Sequence, residues 1–337
     1  MRGALFFILA LSAMAAEAGK EDSLRSHYIQ TYRDYFFVGP VVKKRDLSFD
    51  IHPVGGEDLT DAYRSNSGFS VGLALNLFDV GIEAAFSIPA GARSNATYGE
   101  STVSDVQLTA IGRQWFADAY RQSYEGFYLS NQKVSPGNPF PQRGDIETNN
   151  YGASFAYIFN HDQFSLRSAY TFTEAQLKSR GSFLISYILS TFTMRADSSL
   201  VASADWPSWG TGASFENVRF TSMGLAPGYS HNFVYRRFFL NMTLAIGPAH
   251  YWTRYELGDS NSIRNDIRIN AYSLGRVGIG YNGSAFFAGI NVASQARDLR
   301  FENIRFNTSM STVRVIAGFR FLERGVLKER AIDYAPF

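Results

Sequence analysis

The chain has 337 residues, no cysteine, and 32 basic against 30 acidic residues. The absence of cysteine excludes a disulfide scaffold, a zinc–cysteine site and a thiol enzyme, and the net charge of +2 argues against nucleic acid as a partner. Hydrophobic residues make up 45% of the chain and aromatic residues 15%, which suits either a large soluble core or a membrane barrel.

The first residues predict export from the cytoplasm. In MRGALFFILALSAMAAEAGK a single basic residue, Arg2, precedes an uncharged apolar run and small residues spaced as at a signal-peptide cleavage site. The run is shorter than the ~20 residues that a transmembrane helix needs. We predict a cleaved signal peptide at residues 1–18 and an N-terminal periplasmic segment at residues 19–34.

Segments in which apolar and polar residues alternate follow along the rest of the chain, as expected of β-strands. One begins near Leu47, and the others lie at 70–78, 80–87, 106–115, 120–129, 151–160, 164–172, 181–194, 220–235, 238–252, 265–281, 285–293 and 312–321. Loops rich in Gly, Pro, Asn and Ser are predicted at 55–67, 89–104, 130–150, 197–217, 256–264 and 298–310. Tight hairpins are predicted at His161-Asp162 and Asn282-Gly283.

The length of these segments favours a membrane barrel over a soluble sandwich. Several reach 12 or more residues, and short connections alternate with long loops in the C-terminal half. We predict an all-β fold, an antiparallel transmembrane β-barrel at residues 35–322, with a periplasmic tail at 323–337. Thirteen segments conflict with the even number expected of a bacterial barrel, so we expect about twelve strands, with fourteen as the alternative. The conflict falls between residues 160 and 181.

The alternation also predicts which side chains face lipid. At 312–321, one face carries Arg314 and Arg320 and the other is wholly apolar. An arginine facing lipid at the bilayer midplane costs about 2–4 kcal/mol, so the apolar face is predicted to point outward. The residues predicted to face lipid in three segments are Val313, Val315, Ala317, Phe319 and Phe321; Ile267, Ile269, Ala271, Val277, Ile279 and Tyr281; and Phe164, Leu166, Tyr170 and Phe172.

Three stretches resemble a known family. They are YRDYFFVG at 32–39, TEAQLKSRGSF with Glu174, Gln176, Lys178, Ser179 and Gly181, and PGYSHNFVYRRFFL with Gly228 and Tyr229. In these the chain resembles the bacterial outer-membrane barrels catalogued as domain of unknown function 4421. The resemblance implies a barrel fold and an outer-membrane location, and it implies no activity.

Charged residues that the alternation turns inward are the candidate functional residues. They are predicted to line the lumen: Arg113, Arg167, Arg268, Arg276, Arg297, Arg314 and Arg320, with Glu83 and Glu174. One hypothesis is a pore or passive transporter that favours anions. The alternative is that these arginines pair with acidic residues and loop carbonyls in a plugged interior, because buried charges need partners.

Enzymatic chemistry is not predicted. Among the five histidines, His231 adjoins Ser230, and these two side chains would point to opposite faces of a strand. No His, Asp or Glu cluster has the spacing of metal ligands, and no cofactor is predicted. The alternatives are a membrane-edge lipid-modifying enzyme and a secreted β-sandwich that binds ligands through loops carrying Trp206 and Trp209. The expected partners are outer-membrane lipid, lipopolysaccharide and the barrel assembly machinery.

Overall fold

The computed structural model describes residues 23–56, 58–77, 80–132, 139–260 and 262–323. The predicted signal peptide, nearly all of the predicted tail and the turn at 78–79 lie outside these residues. The strands in chain order are β1 Ile29–Thr31, β2 Tyr35–Pro53, β3 Asp61–Arg64, β4 Phe69–Leu77, β5 Val80–Ile88, β6 Thr102–Ile111, β7 Trp115–Leu129, β8 Gln142–Ile158, β9 Glu174–Gln176, β10 Arg180–Arg195, β11 Phe215–Tyr235, β12 Phe238–Leu257, β13 Ser262–Asn282, β14 Phe286–Phe301 and β15 Ile304–Leu322.

The described helices are all short and lie in connections. They are α1 Ser23–Ser26, α2 Ala92–Tyr98, α3 Arg167–Tyr170, a 3-10 turn at Ser203–Asp205 and α4 Trp206–Trp209. In the ranges given above, no helix is both long enough and apolar enough to cross a membrane.

The long strands form one antiparallel barrel. The hydrogen-bonded ring runs from β2 through β15, β14, β13, β12, β11, β10, β8 and β7 to the short β3, which pairs again with β2. Strands β4 and β5 extend from β2, and β6 pairs with β7. Twelve of the described strands have nine or more residues. The predicted all-β transmembrane barrel is therefore confirmed, with twelve long strands; ten strands, including the short β3, close the ring, and β4, β5 and β6 pair outside it.

The predicted orientation of the C-terminal strands is also confirmed. Val315 is 45% exposed and Phe319 57% exposed on the outer face, whereas Arg320 is 6% exposed inside. In β13, Ile267 and Ile269 likewise point outward. An alternating strand therefore has an apolar outer face even where its inner face carries arginine, as a lipid-facing wall requires.

The prediction of a strand at 164–172 is wrong. Residues 159–179 connect β8 to β10 and fold into the barrel interior, where Phe164, Leu166 and Phe172 are buried. Phe172 has a φ of 58°, and this left-handed conformation reverses the chain before β9. Alternation could not reveal this, because a buried interior and a bilayer both accept apolar side chains. Removing this segment from the thirteen leaves the even number.

Several further boundaries differ from those predicted: β3 lies inside the predicted loop 55–67, and β8 begins at Gln142 inside the predicted loop 130–150. The stretch at 35–42 and the strand near Leu47 form the single strand β2, which removes the alternative of fourteen strands. The loop predicted at 298–310 is the end of a hairpin, in which β14 and β15 continue to a turn at Glu302 and Asn303. Its polar residues alternate with side chains buried inside the barrel, such as Leu299 and Phe306.

The barrel interior is filled from both ends. At one end, which we call the plug end, lie the turns at 236–237 and 283–285 and the connection 159–179, which we call the plug. The N-terminal segment 23–34 joins the plug through pairing of β1 with β9. At the opposite, loop end, a large buried apolar cluster includes Phe49, Phe192, Trp209 and Phe306. We call this cluster the apolar cap.

Candidate functional site

The plug is organised around one buried carboxylate, Glu174, which is 3% exposed. Arg25 of the N-terminal segment places Nη2 at 2.7 Å from each of its oxygens, and Arg167 of α3 lies 3.6 Å away. The Ser165 hydroxyl donates a further hydrogen bond. Burial raises the pKa of Glu174, but Arg167 and Arg25 outweigh it and hold the pKa below its ordinary value.

Asparagines of the wall hold the plug backbone. A chain segment inside a barrel must have its carbonyl groups satisfied by protein donors, since lipid supplies none. Four buried asparagines on four consecutive strands make hydrogen bonds with the plug, and three of them donate to its backbone oxygens. These are Asn232 to Ser165 at 2.8 Å, Asn282 to Ser168 at 2.8 Å and to Glu174 at 2.9 Å, Asn291 to Ala169 at 3.0 Å, and Asn241, which accepts from the Tyr170 hydroxyl at 2.8 Å.

Strand register places most of these groups in one row around the wall. Residues paired across successive strands from β11 to β2 are Asn232, Asn241, Gly278, Asn291, Arg314 and Lys43. We call this row the polar ring. A Cβ added at Gly278 would lie 2.9 Å from the Asn291 amide nitrogen and 3.6 Å from the Ala169 oxygen. The glycine therefore leaves room for the plug.

Arg314, Lys43 and Glu83 form a second charged group inside the wall. Arg314 contacts Glu83 at 2.8 Å and also donates to the plug at the Tyr170 carbonyl, at 3.3 Å. Lys43 binds the same carboxylate. Arg320 is more deeply buried, and it donates to the backbone oxygens of Gly283 and Phe172 and to the Asn282 side chain. These residues thus join wall to plug.

Arg276 and Arg297 differ from the other interior arginines. Among the described residues, neither has a carboxylate within 4.0 Å. Arg297, 4% exposed, donates to the Tyr120 hydroxyl at 2.7 Å, and the Arg276 guanidinium lies 4.0 Å from the centre of the Phe116 ring. The Nε atoms of both arginines are buried without a hydrogen-bond partner.

A small cavity lies beside Arg276, between the plug and the apolar cap. Its volume is about 20 Å³, which is room for roughly one water molecule. Its polar lining comes from Arg276, Tyr272, Thr243, Ser186 and Ser154. The rest is apolar: Phe116, Ala156, Ile158, Leu166, Leu184, Ile188 and Leu274 line it, with Tyr187. We call it the central cavity.

The structure brings the predicted lumen residues into different places. Arg167 and Glu174 belong to the plug and not to a strand, and Arg314 and Glu83 form an ion pair in the wall. Arg113 pairs with Asp162 at the plug-end surface, 2.5 Å apart. Arg268 pairs with Asp266 toward the loop end. The predicted set therefore does not form one lining.

Sequence reasoning missed Arg25, Lys43, Tyr120 and the four asparagines. The available signal was the inward parity of Asn232, Asn241, Asn282 and Asn291 on consecutive strands, since lumen asparagine is costly without a partner.

The residues considered for catalysis and recognition are separated. Ser230 is buried inside and bonds Thr243, while His231 lies on the other face of β11. Trp209 is buried in the apolar cap, and the Trp206 indole donates to the Val201 carbonyl at 3.1 Å. No group of three or more potential metal ligands occurs in the part of the chain that the structure describes.

Residues 20–321 match the protein family described as Domain of unknown function (DUF4421). The chain belongs to this family. The match covers every strand from β1 to β14 and nearly all of β15, so the DUF4421 region and the barrel coincide. The resemblance seen in the sequence is therefore confirmed.

Solved structures similar to this DUF4421 protein are outer-membrane barrels. The outer membrane protease OmpT from Escherichia coli has 9% identity and a TM-score of 0.41, covering 87% of this chain and 98% of OmpT. The attachment invasion locus protein Ail of Yersinia pestis has 10% identity and a TM-score of 0.25, covering 62% and 97%. The Pseudomonas putida toluene transporter TodX has 11% identity and a TM-score of 0.24, covering 86% and 90%. These values support no inference about activity. A search of curated proteins found no match.

Proposed function

We propose that the protein is an integral barrel of the Gram-negative outer membrane that acts as a gated passive transporter of small anionic solutes. One observation carries the proposal: the guanidiniums of Arg276 and Arg297 lie in the barrel interior without a carboxylate partner among the described residues. Uncompensated buried cations are costly, and an anionic solute would compensate them.

The plug would act as the gate. It is a connection between β8 and β10 rather than a wall strand, and side-chain hydrogen bonds and the Arg25–Glu174 pair hold it in place. Its displacement would leave the ladders of the long strands intact. At the loop end, the connection 196–214 contributes Leu200, Val201 and Trp209 to the apolar cap, so passage requires this connection to move as well.

The proposed role is not enzymatic, and the opposite orientations of Ser230 and His231 support this. The proposed partners are outer-membrane lipid and lipopolysaccharide around the apolar outer face, and the barrel assembly machinery during insertion. Heat-modifiable migration of protein extracted from outer membranes would test the location. Recovery in the soluble periplasmic fraction with no heat shift would contradict it.

Conductance in planar bilayers tests the transport role. We expect the native protein to be mostly closed, and Glu174→Gln, which removes the charge that Arg25 binds, to open more often. In a potassium chloride gradient, the reversal potential should shift toward that of chloride. If neither protein opens a channel and neither passes anions in liposomes, the transport proposal is wrong and a structural role is favoured.

A further inference from the structure

The central cavity combines one cation with an apolar wall. Arg276, Tyr272, Thr243 and Ser186 form one part of its lining, and the Ser186 hydroxyl is buried without a partner. The remaining lining is dominated by aliphatic side chains, including Ile158, Leu184 and Leu274. Such a lining suits a ligand with one charged end and one apolar end.

The charges around the cavity favour an anion. The Arg276 guanidinium contacts the rings of Phe116 and, at 6.0 Å, Tyr170, and no carboxylate among the described residues lies within 4.0 Å of it. The groups that act most strongly on the Tyr272 hydroxyl are Arg297, Tyr120, Arg276 and Tyr251, and none of these four is a carboxylate.

Asp118 is an inward-facing carboxylate on β7, and other side chains already bind it. Asp118 of β7 is paired in register with Ser154, but it accepts hydrogen bonds from Gln107 at 2.6 Å and Thr109 at 2.8 Å. Asp118 is therefore held toward β6, and the guanidinium of Arg276 is left to an external anion.

We propose that the central cavity binds a monocarboxylate carrying a compact apolar group, with Arg276 holding the carboxylate. A planar carboxylate matches one guanidinium, whereas a phosphate would need more donors than this lining supplies. The inference rests on the proposed transport function and names its substrate class.

Binding is coupled to the plug. A cavity of about 20 Å³ is too small for such a ligand, so a lining side chain must move. Leu166 comes from the plug, and Phe164 and Leu166 pack with Phe116 and Ile158 in one cluster. A ligand that enters the cavity displaces Leu166 and so weakens the packing of the plug against the wall.

The test uses the full-length protein folded in detergent, with benzoate as probe and benzamide as its neutral analogue. Isothermal titration calorimetry compares the native protein with Arg276→Gln and with Arg268→Gln, a control on the same strand whose arginine already pairs with Asp266. We expect benzoate to bind the native protein and the control equally. Arg276→Gln should weaken binding by about tenfold to hundredfold, as expected for lost charge-assisted hydrogen bonds. Benzamide should bind the native protein no more tightly than it binds Arg276→Gln.

A second variant keeps the test independent of the arginine. Leu166→Ala enlarges the cavity from the plug side, and we expect tighter binding of benzoate, again dependent on Arg276. Equal benzoate affinity in Arg276→Gln, equal binding of benzamide, or no binding of benzoate to any protein would overturn the proposal. Binding without anion flux in liposomes would support the site and refute transport, whereas flux unaffected by Arg276→Gln would support transport and refute the site.

Discussion

Replacing Glu174 with glutamine should release the plug without unfolding the barrel. The substitution keeps the shape and one acceptor oxygen of the side chain but removes its charge. Arg25, which is 4% exposed, then loses its carboxylate partner, and Arg167 loses the carboxylate that lies 3.6 Å away. Both arginines belong to the plug or to the N-terminal segment, so the penalty falls on this part of the protein and not on the strand ladders.

The expected penalty follows from the burial of the pair. Removing one partner of a buried ion pair costs about 3–5 kcal/mol, because the other charge remains buried. At 1.4 kcal/mol per factor of ten, 3 kcal/mol raises the population of the open plug about 150-fold. The barrel should keep its heat-modifiable migration, since its wall hydrogen bonds are unchanged.

Cysteine labelling measures this local opening. The natural chain has no cysteine, so Ser168→Cys introduces a single thiol in the plug at a position that is buried in the closed state. A maleimide reagent reacts with the thiol only when the plug opens. When opening and closing are fast relative to this reaction, the labelling rate is proportional to the population of the open plug. We expect Ser168→Cys with Glu174→Gln to label about 150-fold faster than Ser168→Cys alone.

Asp162→Asn is the matched control. Asp162 is also an arginine-bound acid at the plug end, but its pair with Arg113 is more than one-third exposed on each side. Exposed pairs contribute at most about 1 kcal/mol, so labelling should change less than tenfold. Labelling at the same rate with and without Glu174→Gln would refute the view that the buried pair holds the plug closed.

Further predictions concern pH, the outer face, the cap and a second tie of the plug. The folded pKa of Glu174 lies below its ordinary value, so the Arg25–Glu174 pair stabilises the closed plug fully above about pH 4.5. This stabilisation is lost as the pH falls through the folded pKa. Labelling of Ser168→Cys should therefore accelerate in acid, and only in a protein that retains Glu174. Val315→Arg should reduce refolding into liposomes, at a cost of up to about 2–4 kcal/mol, and unchanged refolding would contradict the outward orientation. Phe306→Ala should cost about 3–5 kcal/mol of barrel stability, measured as a lower urea midpoint of the heat-modifiable form; an unchanged midpoint would show that the cap does not stabilise the barrel. Arg320→Gln should also accelerate labelling, since it weakens the bond from Arg320 to the Phe172 carbonyl of the plug, and a rate unchanged from the parent would exclude Arg320 as a tie.

The sequence predicted the wall well because lipid imposes a simple rule on it. A residue that faces hydrocarbon must be apolar, and strands have a two-residue period, so Val315, Phe319 and Ile267 could be assigned outward from parity alone. The end of the last strand, predicted at Phe321 and found at Leu322, follows from the same alternation. Nothing comparable constrains the residues inside.

The plug could not be predicted because its apolar residues obey no solvent rule. Phe164, Leu166 and Phe172 are spaced as in a strand, yet they pack inside the barrel. Their partners are distant in sequence: Arg25 and Glu174 are 149 residues apart, and Asn282 and Ser168 are 114 apart. The odd number of predicted strands was the one sign of this error, and the resulting conflict in strand order lies between residues 160 and 181, which include the plug.

The polar side chains inside a barrel carry information about what fills it. A water-filled lumen satisfies polar side chains with water, so their identity and level along neighbouring strands are free to vary. A plug fixes both, because its backbone oxygens need donors of defined length at defined heights. Asn232, Asn241 and Asn291 lie in one register row with Gly278 between them, which gives the plug three amides and a gap. Inward asparagines aligned with a glycine on consecutive strands therefore indicate a seated plug rather than an open channel.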